Sequence, residues 1–189
     1  KVVAEERGTF LSITGTKLTC FRSLAAGLGD QVMRTLGRKV GSRTDRLSLD
    51  GADEDATVEA RAWLDVSGEM AASGFEAETL ETLVTLYGRA YPRIIELAGK
   101  VTGGGERLCP ENPDVVAQLH HAVQEEMTVT LEDFLLRRTG IGTSHCQGLD
   151  CAEGIGLRMA DLAGWTRARL DAELAAYHAH VARSRRFKA

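Results

Sequence analysis

The chain has 189 residues with a formal net charge of −4 at pH 7, and 43% of its residues are apolar and 26% charged. This composition is typical of a globular protein, and the length suits one ordinary domain or one small domain plus part of another. The acidic balance gives no reason to expect nucleic-acid binding, and no apolar run approaches the ~20 residues that span a bilayer.

The first 40 residues predict a strand, a glycine turn and a helix. A short apolar run at 9–13 ends near Gly15, and apolar residues then recur at helical spacing up to Leu36. A helix that begins near Lys17 presents backbone N–H groups and a positive dipole end, which together attract phosphate, carboxylate or the electron-rich edge of a cofactor. Because a cation is disfavoured at that position, Lys17 is either a solvated side chain or part of an anion-binding site.

A polar stretch at 41–55, rich in Gly, Asp and Ser, predicts a linker to a second domain at 56–189. Apolar periodicity in that domain predicts a series of helices. Six of the predicted helices cover residues 57–71, 76–87, 92–98, 112 to about 127, 151–163 and 167–182. A further helix is predicted to begin at residue 130. The predicted fold class is therefore mainly α, with a short strand–turn–helix piece followed by an all-α helical bundle.

Two of these helices carry capping signals. Asn112 is expected to cap a helix with Pro113 in its first position, where the missing N–H costs nothing. The side of that helix expected to face the core consists of Val116, Leu119, Val123 and Met127. Thr130 and Asp133 have the spacing of a capping box, which predicts the start of the next helix.

The four cysteines lie at positions 20, 109, 146 and 151. They lack the pattern of a disulfide scaffold, which favours a reducing, cytoplasmic setting. Cys146 and Cys151 form a C-x4-C motif in a Gly-rich loop that resembles a segment of ferredoxin-like [2Fe–2S] modules. The resemblance implies that these two cysteines and Cys109 are candidate metal ligands. An iron–sulfur cluster needs four such ligands, whereas zinc would accept a fourth ligand from His145.

Three interpretations of these cysteines stay open. They are a vestigial site with free thiols, a working metal or [2Fe–2S] site, or a disulfide or unrelated buried cysteines. Cys20, on the first predicted helix, is expected to be a core residue rather than a ligand.

The segment at 12–22, Ser-Ile-Thr-Gly-Thr-Lys-Leu-Thr-Cys-Phe-Arg, resembles Thr-Gly-Gly-Lys-Leu-Thr-Thr-Tyr-Arg of FAD-dependent glycerol-3-phosphate dehydrogenases. The segments at 107–127 and 130–139 resemble the helical C-terminal domain of the same family, in the same order. The resemblance implies that residues 1–40 are the C-terminal end of an FAD-binding domain. It also implies that the chain is the C-terminal portion of an enzyme that oxidises glycerol 3-phosphate to dihydroxyacetone phosphate.

In that family a hydride passes to FAD and electrons then reach a quinone or another acceptor. The resemblance implies that Gly15, Thr16, Lys17, Leu18 and Thr19 contact the cofactor, with Lys17 as the catalytic residue that stabilises negative charge on the reduced ring. Thr16 stands where the family has glycine, and a β-branched residue resists the positive φ that glycine accepts. The chain has no Gly-x-Gly-x-x-Gly after a strand, so the fragment alone is expected to be inactive.

Two alternatives concern other classes of protein. The C-x4-C loop resembles a segment of ferredoxin-like [2Fe–2S] modules, which implies a metal-binding electron relay built on Cys109, Cys146 and Cys151. The second alternative is a non-catalytic helical domain that docks on a partner, forms a homo-oligomer, or contacts the inner face of a membrane through its basic tail at 183–188.

Overall fold

We describe a computed structural model of the chain, which defines residues 3–7, 10–14, 17–47 and 74–188. The chain divides into two compact units, Lys1–Leu49 and Asp50–Ala189. Several predictions lie outside the described residues. They are the positions of Gly15 and Thr16, the helix at 57–71 and the linker residues 48–55.

The first unit is an antiparallel hairpin followed by a helix. Strand β1 (Val3–Arg7) pairs with β2 (Phe10–Thr14), and a single 3-10 turn at Leu18–Cys20 leads directly into α1 (Phe21–Thr35). The predicted strand and helix are both present as β2 and α1. The residues at the start of the chain form β1, which pairs with the predicted strand.

Helix α1 contains no buried residue, although its apolar residues recur on one face. Leu28 and Val32 are half-buried, whereas Phe21 is 61% exposed. Cys20 is exposed as well, so its expected place in a core is wrong. The reason is that periodicity shows which face of a helix is apolar but not what covers it.

The described part of the second unit is mainly α, which confirms the predicted fold class. Its longer helices are α2 (Ala77–Tyr87), α3 (Tyr91–Lys100), α4 (Val116–Glu125), α6 (Ala152–Ala163) and α7 (Arg167–Ser184). A short α5 (Leu131–Asp133) continues as a π-helical turn, Phe134–Arg138. A small antiparallel hairpin of β3 (Arg107–Cys109) and β4 (Asn112–Val115), absent from the prediction, lies between α3 and α4. Among the described helices, none has the length and apolarity needed to cross a membrane.

Two hydrophobic clusters form the core of this unit within residues 74–188. The smaller one joins α2 and α3 to the start of α4 through Leu80, Leu83, Val84, Tyr91, Ile94, Val115 and Ala117. The larger one is built on α4 to α7, with Phe134, Leu135, Ile155, Met159 and Tyr177 among its buried members. Cys109 and Cys151 belong to this larger cluster, which places both thiols at the edge of the main core.

The predicted start of α4 at Asn112 is wrong. Asn112 pairs with Cys109 across the hairpin, and the helix begins only at Val116. The side chain of Gln118 takes over the capping role, since its Oε1 accepts a hydrogen bond from the Val115 N–H at 2.8 Å. The helix also ends at Glu125, so Met127 is 86% exposed instead of lying in the core.

The predicted capping box at the next helix is confirmed. The Asp133 N–H donates to Thr130 Oγ1 at 3.1 Å, and Asp133 Oδ2 accepts from the Thr130 N–H at 2.9 Å. Two of the backbone donors at this helix start are therefore satisfied by side chains.

Candidate functional site

The turn of the first unit presents backbone donors beside a lysine. Lys17 is extended (φ −71°, ψ 143°), and its carbonyl accepts the first helical hydrogen bond, donated by the Cys20 N–H at 2.9 Å. The N–H groups of Leu18 and Thr19 therefore precede the first bonded donor of the helix. All three residues are exposed. Gly15 and Thr16, the other two residues expected at this site, lie outside the described residues.

Three of the four cysteines come together in the second unit. Cys109 ends β3, Cys146 lies in the loop before α6, and Cys151 immediately precedes that helix. The Sγ atoms of Cys109 and Cys146 are 3.7 Å apart, and Cys109 Sγ is 3.7 Å from Asp150 Oδ1. The ligand atoms of Cys109, Asp150 and Cys151 all lie within 4.8 Å of one another. We call Cys109, Cys146, Asp150 and Cys151 the thiol cluster.

Nitrogen donors point at the sulfur atoms of this cluster. Asn112 is buried, and its Nδ2 donates to Cys109 Sγ at 3.1 Å and to Cys146 Sγ at 3.5 Å. The Gly148 N–H donates to Cys146 Sγ at 3.3 Å. Donors of this kind stabilise a thiolate more than a neutral thiol, because the thiolate is the stronger acceptor.

The loop that carries Cys146 has an unusual backbone. Gln147 and Gly148 are both left-handed, with φ 50° and φ 66°, and only the glycine adopts this conformation without cost. A Cβ atom added to Gly148 would lie 3.0 Å from Ile141 Cγ2. The Tyr177 hydroxyl donates to the Gln147 carbonyl at 2.8 Å and so anchors the loop to α7.

All four cysteines of the chain are free thiols. Burial is the largest influence on Cys109 and Cys151, and it raises the pKa of both thiols above the ordinary value. The hydrogen bond from Asn112 acts in the opposite direction on the pKa of Cys109. At neutral pH these two groups are therefore protonated unless a cation displaces their protons.

Sequence reasoning named the three cysteines of the cluster but missed Asp150 and Asn112. Asp150 is adjacent to Cys151 inside the C-x4-C motif, and Asn112 follows Cys109 by three residues, so proximity in sequence was the available signal. His145 does not join the cluster. Its side chain is 98% exposed, and its Nδ1 lies 4.0 Å from a carboxylate oxygen of Glu111.

One side of the thiol cluster opens into a shallow cleft of about 380 Å³. Cys146, Asp150 and Arg185 line it, together with Glu111, His145 and Leu149. Arg185 is held in place by a hydrogen bond from its Nε to Gln147 Oε1. The cleft gives small solutes a path to Cys146 and Asp150.

Comparison with known proteins gives one consistent family. A family model of the C-terminal domain of alpha-glycerophosphate oxidase matches residues 42–170. A glycerol-3-phosphate dehydrogenase of Synechocystis is 30% identical over 173 residues, which cover 90% of this chain and 30% of that protein. An alpha-glycerophosphate oxidase of Streptococcus pneumoniae is also 30% identical, over 90% of this chain and 28% of the relative.

A solved structure agrees with these relatives. The glycerol-3-phosphate dehydrogenase of Bacillus halodurans, determined in complex with FAD, superimposes with a TM-score of 0.69 at 27% identity. The match covers 89% of this chain and 34% of that one. The chain thus spans about a third of the length of the proteins that it matches.

Proposed function

The chain belongs to the family of the C-terminal domain of alpha-glycerophosphate oxidase, and on that premise we propose that it is the C-terminal region of a flavin-dependent oxidoreductase. The proposed reaction is oxidation of sn-glycerol 3-phosphate to dihydroxyacetone phosphate. The observation that carries the proposal is the similarity to an FAD-complexed glycerol-3-phosphate dehydrogenase over 89% of the chain.

The donors of the turn suit a flavin chemically. The N–H groups of Leu18 and Thr19 and the ammonium of Lys17 are exposed donors at one helix start. The pyrimidine edge of a flavin presents carbonyl oxygens and a ring nitrogen, which accept hydrogen bonds and become more negative on reduction. When bound, FAD supplies the hydride acceptor of the reaction.

Within this scheme Lys17 stabilises developing negative charge. Its side-chain nitrogen is a compact donor beside the positive end of α1, and it interacts more strongly with an anion than with a neutral group. Leu18 and Thr19 contribute backbone N–H groups whose positions are set by the helix and cost no side-chain entropy to order. Gly15 and Thr16 are also proposed to contact the cofactor.

The test uses the full-length protein that carries this chain, assayed with glycerol 3-phosphate and an artificial electron acceptor. We expect Lys17→Met to lower kcat by about 10²–10³-fold, the usual effect of removing one charge-stabilising donor. Lys17→Arg should restore part of the rate. Lys39→Met, at an exposed lysine of the same unit, is the matched control and should have no effect. A wild-type protein purified without flavin would refute the proposal, and an unaffected Lys17→Met variant would refute the role of Lys17.

For the electron acceptor we propose a quinone reached at the inner face of the cytoplasmic membrane. The support is the basic tail, in which Arg183 and Arg186 are exposed and Phe187 is 79% exposed. Basic and aromatic residues together favour an anionic lipid surface. The protein should sediment together with anionic vesicles. The double variant Arg183→Ala/Arg186→Ala should not sediment with them. Equal sedimentation with uncharged vesicles would contradict the proposal.

A further inference from the structure

We propose that the thiol cluster is a mononuclear metal site, in which Cys109, Cys146, Cys151 and Asp150 bind one Zn²⁺ ion. The site lies in the helical unit and is independent of the proposed flavin chemistry. Its function is structural, because it ties the β3–β4 hairpin to the loop before α6 and to the first turn of that helix.

Two distances, both from the sulfur of Cys109, match the spacing that a tetrahedral ion imposes. Two sulfur atoms bound to Zn²⁺ at about 2.3 Å lie about 3.8 Å apart, and a sulfur and a carboxylate oxygen lie about 3.6 Å apart. The Sγ atoms of Cys109 and Cys146 are 3.7 Å apart, and Cys109 Sγ is 3.7 Å from Asp150 Oδ1. A disulfide requires about 2.05 Å between the sulfurs, so the pair is not bonded.

The surroundings of the sulfurs are those of metal-bound thiolates. Asn112 reaches two of the three sulfurs through one amide nitrogen, and Gly148 donates to Cys146. Such hydrogen bonds orient the ligands and disperse their negative charge. Because Asn112 is buried and takes part in the hairpin, its amide is held in place before any ion binds.

The groups around the cluster suit its ion-bound state. Once the thiols have lost their protons, three thiolates and one carboxylate carry four negative charges, of which a divalent ion cancels two. Arg185 lines the adjoining cleft, and Cys151 stands at the positive end of α6. The remaining negative charge therefore faces a guanidinium and a helix dipole.

An ion has a path into the site. Asp150 is exposed and lines the cleft of about 380 Å³, whereas Cys109 and Cys151 are buried behind it. On entry the ion loses bound water, each thiol forms a metal–sulfur bond, and each thiol proton passes to solvent. No electron transfer is involved.

The test titrates the metal-free full chain with Co²⁺, which takes the zinc geometry and gives a sulfur-to-cobalt charge-transfer absorption. We expect saturation at one ion per chain, displacement by Zn²⁺ and release of protons on binding. Asn112→Ala should weaken Co²⁺ binding by about 10–100-fold. Asp150→Ala removes a direct ligand at an exposed position and should weaken it at least as much.

Cys20→Ser is the matched control, because it removes an exposed thiol outside the cluster and should leave the titration unchanged. The proposal is overturned if no charge-transfer band develops at one equivalent, or if Asp150→Ala binds Co²⁺ as tightly as the parent chain. It is also overturned if anaerobically purified protein holds iron with inorganic sulfide, since that product would be a cluster rather than a single ion. Recovery of a Cys109–Cys146 disulfide from chain supplied with Zn²⁺ and reductant would contradict it equally.

Discussion

The hydroxyl of Tyr177 donates a hydrogen bond of 2.8 Å to the backbone carbonyl of Gln147. Tyr177 is fully buried on α7, while Gln147 holds a left-handed conformation in the loop that carries Cys146. The tyrosine thus fixes a backbone conformation that a non-glycine residue otherwise avoids.

Tyr177→Phe should therefore loosen the loop. Removing the hydroxyl leaves the Gln147 carbonyl without this donor, and we expect a loss of about 1 kcal/mol in the free energy of unfolding. Cys146 should also react faster with a thiol reagent. Ser184→Ala, which removes an exposed hydrogen bond to the Gln147 side chain, is the control and should change neither quantity appreciably. Equal thiol reactivity in Tyr177→Phe and the parent would show that the tyrosine does not hold the loop.

Two glycines beside this loop provide a matched pair. A Cβ atom at Gly142 would lie 2.6 Å from the Leu135 carbonyl oxygen, whereas one at Gly140 would meet no heavy atom within 4 Å. Gly142→Ala should cost about 2 kcal/mol, since backbone must move to admit the methyl group. Gly140→Ala should stay within about 0.5 kcal/mol of the parent. Urea unfolding followed by circular dichroism measures both, and equal midpoints would refute the close approach.

Asp114 should make stability depend on pH. Burial raises the pKa of this carboxyl group to about 6, and the hydrogen bond from Gln118 offsets only part of the effect. The unfolded chain has an ordinary aspartate pKa of about 4. Between about pH 4 and pH 6 the folded state therefore holds a proton that the unfolded state has lost, so stability falls as pH rises through this window.

Asp114→Asn removes that ionisation while keeping an oxygen that can accept from Gln118. We expect the variant to gain about 3 kcal/mol over the parent at pH 8 and little at pH 4. Asp161→Asn, at an exposed position of α6, is the control and should be neutral at both pH values. Urea unfolding at the two pH values measures the difference, and a gain of the same size at pH 4 would contradict the explanation.

Local sequence signals were sufficient to predict a helix start where the residues that stabilise it are close in sequence. Thr130 and Asp133 are three residues apart and satisfy each other, so the start of that helix could be predicted. The start of α4 could not, because Asn112 is held by Cys109 across a hairpin and by the sulfur of Cys146 from a distant loop. A proline in the next position favours a helix start on local grounds alone, and tertiary contacts overrode that preference.

The candidate sites likewise combine features that are visible in the local sequence with features that depend on tertiary contacts. The three cysteines could be grouped from the C-x4-C motif and its resemblance to ferredoxin-like [2Fe–2S] modules. The position of Asp150 beside them could not be predicted, because it depends on a loop in which Gln147 has a positive φ. That conformation is stabilised by Tyr177, which is 30 residues away in sequence. Lys17 could be singled out because its charge conflicts with its position at a helix start, a conflict that is visible in sequence.

The reductive half-reaction tests the central proposal most directly. The full-length protein that carries this chain is mixed anaerobically with glycerol 3-phosphate while the flavin absorbance is recorded. We expect the oxidised flavin band to bleach with glycerol 3-phosphate but not with glycerol, and dihydroxyacetone phosphate to form in equal amount. A flavin that stays oxidised in the presence of glycerol 3-phosphate would contradict the assignment.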